Sequence, residues 1–186
     1  MKKIIIALIL LMAVFNINKV YSQSKSATVS DNLPLKKTKV SPEVVVETEK
    51  EAIRKVIANE TETYYKQDFE GWKSNFVNEN YFRQYGYWEG YEEKVKYFNG
   101  FDTLQSVKES QFKQNRTIWK GSYEKRYNEN FRITKEMAWY TFEQDSFDGN
   151  THKFLGKSIE TRILEKHEGR WKIAYLGFHY LPKIQG

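Results

Sequence analysis

Glu143 and Asp145 stand two residues apart, as do Glu160 and Arg162, and the residues around both pairs read as β-strand. Alternate residues of a strand point to the same side of a sheet, so each pair shares a face. Should those faces line a sheltered hollow, a carboxylate set against an aromatic wall holds its proton to higher pH and is able to move it, which is the chemistry of an acid/base isomerase. On an open face, Glu160 and Arg162 form instead an ordinary surface ion pair worth at most about 1 kcal/mol. The spacing is compatible with both.

The three histidines add one candidate base. His152 falls in a loop, His167 beside the Glu168-Gly169 turn, and His179 near the end of the last strand. No two have metal-ligand spacing and there is no His-Glu-x-x-His, so no metal is expected. His179 shares strand parity with Trp171, Ile173 and Tyr175, which would point it inward as a base; the ordinary role for such a histidine is a structural hydrogen bond. The chain has no cysteine, which excludes thiol catalysis, thiolate metal sites, disulfides and a lipid-attachment cysteine. It has neither a Gly-x-Ser-x-Gly elbow nor a glycine-rich phosphate loop, which argues against the common hydrolases and nucleotide enzymes; no cofactor is expected. The candidate catalytic residues are therefore Glu143, Glu160 and His179.

Aromatic residues make up 16% of the chain, more than a core of this size ordinarily needs. They crowd between Tyr81 and Phe98, a stretch that includes Tyr85, Tyr87, Trp88 and Tyr91 and is interrupted by glycines at 86, 90 and 100. Tyr and Trp offer flat apolar surface with a polar edge, suited to a partly polar small organic ligand. Nucleic acid is an unsuitable partner. The formal charge of +6 comes entirely from the first 41 residues, and from Pro42 onward 23 basic residues balance 23 acidic ones.

These side chains need elements to hold them, and the chain divides into three parts. Met1, Lys2 and Lys3 precede an apolar run from Ile4 to Phe15 and a polar stretch to Gln23, the pattern of a secretory signal over residues 1–23. About twelve apolar residues are too few to span a bilayer as a helix, so a cleaved signal and a periplasmic or secreted protein, free of the membrane, are expected. Residues 24–41, rich in Ser, Thr, Lys and Asn, read as a flexible linker. The remaining residues, 42–186, are enough for one α+β domain.

In that domain Thr48-Glu49-Lys50-Glu51 has capping-box spacing, and Ile53, Val56, Ile57, Glu60 and Tyr64 follow as one helical stripe. Asp68 can cap a short helix bearing Phe69, Trp72 and Phe76. Asp102 or Thr103 can cap a third, running to about Gln114, with Leu104, Val107 and Gln111 or Phe112 inward. After Trp119 the period shortens to two: strands are expected over Tyr127 to Ile133, Met137 to Asp145, Phe154 to His167 and Arg170 to Leu181, joined by tight turns. Helices followed by a meander indicate helices packed on one face of a curved antiparallel sheet.

Phe69-Glu70-Gly71-Trp72, Met137-Ala138-Trp139-Tyr140-Thr141-Phe142 and the terminal hairpin from Glu160-Thr161-Arg162 through Leu164-Glu165-Lys166 and Gly169 to Arg170-Trp171-Lys172-Ile173 resemble the nuclear transport factor 2-like superfamily, in its bacterial SnoaL-like branch. The similarity covers about residues 46 to 181. It implies a cone of three N-terminal helices and a strongly curved sheet around a pocket, usually in a homodimer, with Trp72, Trp139 and Trp171 at buried positions and the Tyr81 to Phe98 stretch crossing the mouth. The ligand-binding candidates are Trp72, Tyr85, Tyr87, Trp88, Tyr91, Trp139 and Arg162. The tyrosine-plus-aspartate pair of isomerases with this fold has no residue-by-residue counterpart. Such folds host enzymes and binding modules alike. Three functions fit: an exported protein that binds a small organic ligand without turnover, a metal-free isomerase or cyclase, and a homodimeric assembly module with a pocket filled by its own tyrosines. A buried carboxylate within about 3 Å of another titratable group would favour catalysis.

Overall fold

The structure, a computed structural model, describes residues 41–89, 94–114 and 121–182. Residues 1–40, over which a secretory signal and a linker are expected, and Tyr91 lie outside the described residues. Helix α1, Pro42–Lys66, begins about two turns ahead of the Thr48 capping box. Ser41 is the actual cap: its hydroxyl accepts from the Val44 N–H at 3.3 Å, and a proline occupies the first turn, where a missing N–H costs nothing. Thr48 sits inside the helix and donates to the Val44 carbonyl at 2.8 Å. Helix α2, Phe69–Lys73, is capped as expected, with Asp68 accepting from the Gly71 N–H at 2.9 Å. Helix α3, Phe101–Lys113, starts after Gly100, at φ +85°, rather than at a side-chain cap. Its inward face is Phe101, Leu104, Lys108 and Phe112; Val107, expected inside, is exposed.

The expected meander is present as β3 (Tyr123–Ile133), β4 (Met137–Phe147), β5 (Phe154–His167) and β6 (Arg170–Pro182). The glycine-punctuated aromatic stretch contributes two more strands, β1 (Arg83–Trp88) and β2 (Val95–Asn99), which pair with each other antiparallel; β1 also runs parallel to β6. The result is one six-stranded sheet in the order β2-β1-β6-β5-β4-β3, curved and unclosed, with the helices on its inner face. Gly86 opposes Phe178 across the β1–β6 pair, and a Cβ there would lie 2.1 Å from the Phe178 ring. The ring lies across the strand because the glycine leaves room for it.

Bulges decide which side chains look inward. Ile163 pairs with Tyr175 but Leu164 with Ile173, so Ala174 is an extra residue in β6. Trp171 and Ile173 face inward before it, and Leu176, Phe178 and Tyr180 after it. A second shift, between Tyr127 and Asn130, lets Glu124 and Arg126 share the inner side of β3 with Phe131 and Ile133.

Along β4 the inward residues are Ala138, Tyr140 and Phe142, then Gln144 and Ser146; along β5 they are Leu164, then Arg162, Glu160 and Ser158. One half of the inner face is thus apolar and the other polar. The helices and the segment between α2 and β1 fill the apolar half with Ile53, Ile57, Leu104 and a cluster of Trp72, Phe76, Phe82, Phe101 and Phe112, whose neighbouring rings are 4.7 to 6.1 Å apart. Phe76 touches three of these rings. Phe76→Ala is expected to lower stability by about 3–5 kcal/mol in urea unfolding, and a loss near 1 kcal/mol would contradict this account of the core.

Candidate functional site

Over the polar half the helices do not close, and a cavity of about 180 Å³ remains between α1, α3 and the sheet. Its floor is a chain of hydrogen bonds. Arg126 donates from Nη2 to Thr61 Oγ1 at 2.7 Å and from Nε to Gln144 Oε1 at 3.2 Å; Gln144 donates to Glu160 Oε1 at 3.4 Å; Arg162 Nη1 donates to Glu160 Oε2 at 2.7 Å. The Arg162 and Glu160 side chains are 6% and 5% exposed, so this is a buried ion pair and not the surface one that the spacing also allowed. Arg162 Nη1 also donates to the Thr161 and Gly177 carbonyls, whereas its Nε has no partner among the described residues. Phe142 lies beneath two guanidiniums, Arg126 and Arg162, each 5.6 Å from its ring centre.

A second carboxyl occupies the wall formed by α1 and β3. Glu124 accepts from the Tyr65 hydroxyl and from Ser146 Oγ, the latter at 2.7 Å. Burial pushes its pKa up to about 7, against the opposing pull of those two donors and of Arg126. Burial, followed by the charge of Glu124, drives the Tyr65 phenol well above its ordinary value. On the opposite wall, Lys108 places its Nζ 4.7 Å above the Tyr64 ring, and burial brings its ammonium down to about 8. Glu60 accepts from Trp72 Nε1 at 3.3 Å between them. Among the described residues, no group of three His, Asp or Glu is placed to hold a metal ion.

Of the residues singled out from sequence, Trp72, Trp88, Glu160 and Arg162 line this cavity. Glu143, Tyr85, Tyr87, Trp139 and His179 lie on the other face of the sheet. Glu143 and Asp145 do share a side of β4, but it is the one opposite Phe142 and Gln144; Glu143 is ion-paired with Lys157 there. Trp139, on that same side, is 56% exposed and not buried. His179 is turned outward by the Ala174 bulge, which breaks its parity with Trp171 and Ile173; it meets the Tyr87 ring edge-on at 4.7 Å. Tyr85 and Tyr87 alternate with Gln84 and Trp88 along β1 and are therefore outside.

Glu60, Tyr65, Lys108 and Glu124 were not among the sequence candidates. Two carried a legible signal. Glu60 interrupts the apolar stripe of α1, and Lys108 stands one turn after Leu104 and one before Phe112, a charge in the middle of a buried face. Glu124 and Tyr65 carried none, because their pairing is made by tertiary structure alone.

No protein-family model and no curated protein sequence matches the chain. Solved structures do resemble it. A protein of unknown function with a cystatin-like fold from Nostoc punctiforme superposes with a TM-score of 0.58 at 14% identity, over 73% of this chain and 93% of that one. A function-unknown protein from Mycobacterium tuberculosis gives 0.57 at 18%, over 75% and 76%. A candidate dehydratase of the NTF2-like family from Streptomyces avermitilis gives 0.55 at 12%, over 75% and 99%. At these identities the likeness is one of fold.

Two outcomes are expected. Removing one partner of the buried pair, as in Glu160→Gln, strands a charge and should destabilise by about 3–5 kcal/mol, while Glu160→Leu with Arg162→Met should recover much of that loss in a double-mutant cycle. Glu124 holds its proton more tightly in the folded state than free glutamate at 4.5, so its contribution to stability is complete below about pH 4.5 and is lost as pH rises through about 7. Glu124→Gln should therefore gain melting temperature relative to wild type between pH 5 and pH 8; parallel curves would show that Glu124 titrates normally.

Proposed function

We propose that this chain, whose fold is that of the nuclear transport factor 2-like superfamily, is an exported pocket protein whose cone binds a small, partly polar organic ligand. The observation that carries the proposal is the cavity itself. The inner face is fully packed over one half of the sheet and open over the other, where Arg162, Glu160, Gln144, Ser158, Lys108 and Trp88 gather donors, acceptors and an aromatic surface. Its volume of about 180 Å³ is slightly above the roughly 150 Å³ that accommodates a benzene ring, so the ligand is of single-ring size. Export is supported by the basic, apolar and polar succession of residues 1–23. A homodimer is supported by the outer face of the sheet, where Tyr85, Val95, Tyr97, Trp139 and Ile159 are all exposed.

A second function, metal-free proton transfer on the bound ligand, is favoured by one specific pair. Glu124 and Tyr65 are hydrogen-bonded titratable groups on the cavity wall, and the carboxyl exchanges its proton near neutrality, where a general acid or base works best.

Native mass spectrometry of protein purified from its own host is expected to give a dimer carrying a small retained ligand. A bare monomer that also fails to bind benzoate, benzamide or phenol by NMR would remove the proposal. If the retained ligand is turned over, its rate should show a limb near pH 7 that disappears in Glu124→Gln.

A further inference from the structure

We propose that the cavity takes carbonyl compounds and holds them covalently, as an imine on Lys108; this deepens the cavity reading above and rests on it. Leu104, Lys108 and Phe112 follow one another at helical spacing on the inward face of α3, and the residues on either side of Lys108 are 0% and 8% exposed. The helix therefore delivers the lysine to the cavity wall. Lys50, Lys66, Lys113, Lys157 and Lys166 each end on a carboxylate. Lys108 does not: among the described residues its Nζ has no carboxylate within 4 Å and no hydrogen bond, and it rests on the face of Tyr64. An amine so held is positioned without being consumed by an ion pair.

The charged and titratable groups acting on it are Glu60 and Tyr64 from α1 and Lys96 from β2. Burial and Lys96 favour the neutral amine and Glu60 opposes them, with the free base becoming abundant near pH 8. The step needs no oxidant or reductant. The Nζ lone pair attacks the carbonyl carbon, the C=O π electrons go to oxygen, and that oxygen takes a proton while the nitrogen gives up the first of its two. The carbinolamine then loses the oxygen as water while nitrogen releases its proton and forms the C=N bond. Glu60 and Glu124, the two other carboxyls that line this cavity besides the ion-paired Glu160, are the groups available to give and take those protons.

The test uses salicylaldehyde, a single-ring aldehyde, with borohydride reduction and peptide mass spectrometry on the full chain. Lys108 is expected to be labelled about tenfold faster at pH 7.5 than Lys135, which is 94% exposed, because far more of it is free amine, although its lower basicity makes it a weaker nucleophile. Its labelling rate should level off above about pH 8 while that of Lys135 keeps rising, and the fast label should vanish in Lys108→Arg. Excess salicylamide, which has the same ring and no aldehyde, should protect Lys108. Labelling of Lys108 no faster than Lys135, or fast labelling that salicylamide leaves untouched, overturns the proposal. If salicylamide shifts the NMR signals of the cavity residues while Lys108 stays unselective, covalent capture falls and the binding cavity stands. If salicylamide does not bind either, both fall.

Discussion

A guanidinium and a carboxylate sit side by side in the middle of a sheet, both almost wholly removed from water, and much of the rest of the molecule is arranged around them. Such a pair is costly unless most of the remaining donors and acceptors are met. Glu160 has Gln144 and Arg162; Arg162 has two backbone carbonyls and Phe142 beneath it. Apolar side chains packed over these groups would desolvate them without replacing the lost hydrogen bonds. The aromatic cluster accordingly stops where the polar residues begin, and a hollow is left over them.

The hollow then sets the properties of its other walls. Glu124 and Lys108 reach it from opposite sides, and in both the low-dielectric surroundings oppose the charged form, which moves an acid up and an amine down toward neutrality. A carboxyl and an amine that both exchange protons near pH 7 to 8 are the groups on which the proposed binding and proton transfer rest. Neither would have this character on the outer face, where Glu143 and Lys157 are paired and Glu143 is held below its ordinary value by that lysine and by Asn128.

Glycine and bulge positions do the geometric work that permits this. Gly86 admits the Phe178 ring against β1, and Ala174 lets β6 present Trp171 and Ile173 to the core and then Leu176, Phe178 and Tyr180 to the cavity. Without the extra residue, His179 would have pointed inward and Phe178 outward.

The sequence by itself determined the α+β class, the three helices, the four strands of the meander and the inward stripe of α1, because periodicity and turn residues are local and survive without knowledge of partners. It also determined that Glu160 and Arg162 share a face, since two residues in a strand always do. Tertiary structure alone decided which face that was. A period-two pattern fixes relative orientation and leaves the absolute side to strand pairing and bulges, which is why Glu160 went in while Glu143, His179 and Trp139 went out. The same holds for Tyr65 and Glu124: they are far apart in the chain, and only the packing of α1 on β3 brings a phenol to a carboxyl and buries both, which is what raises each.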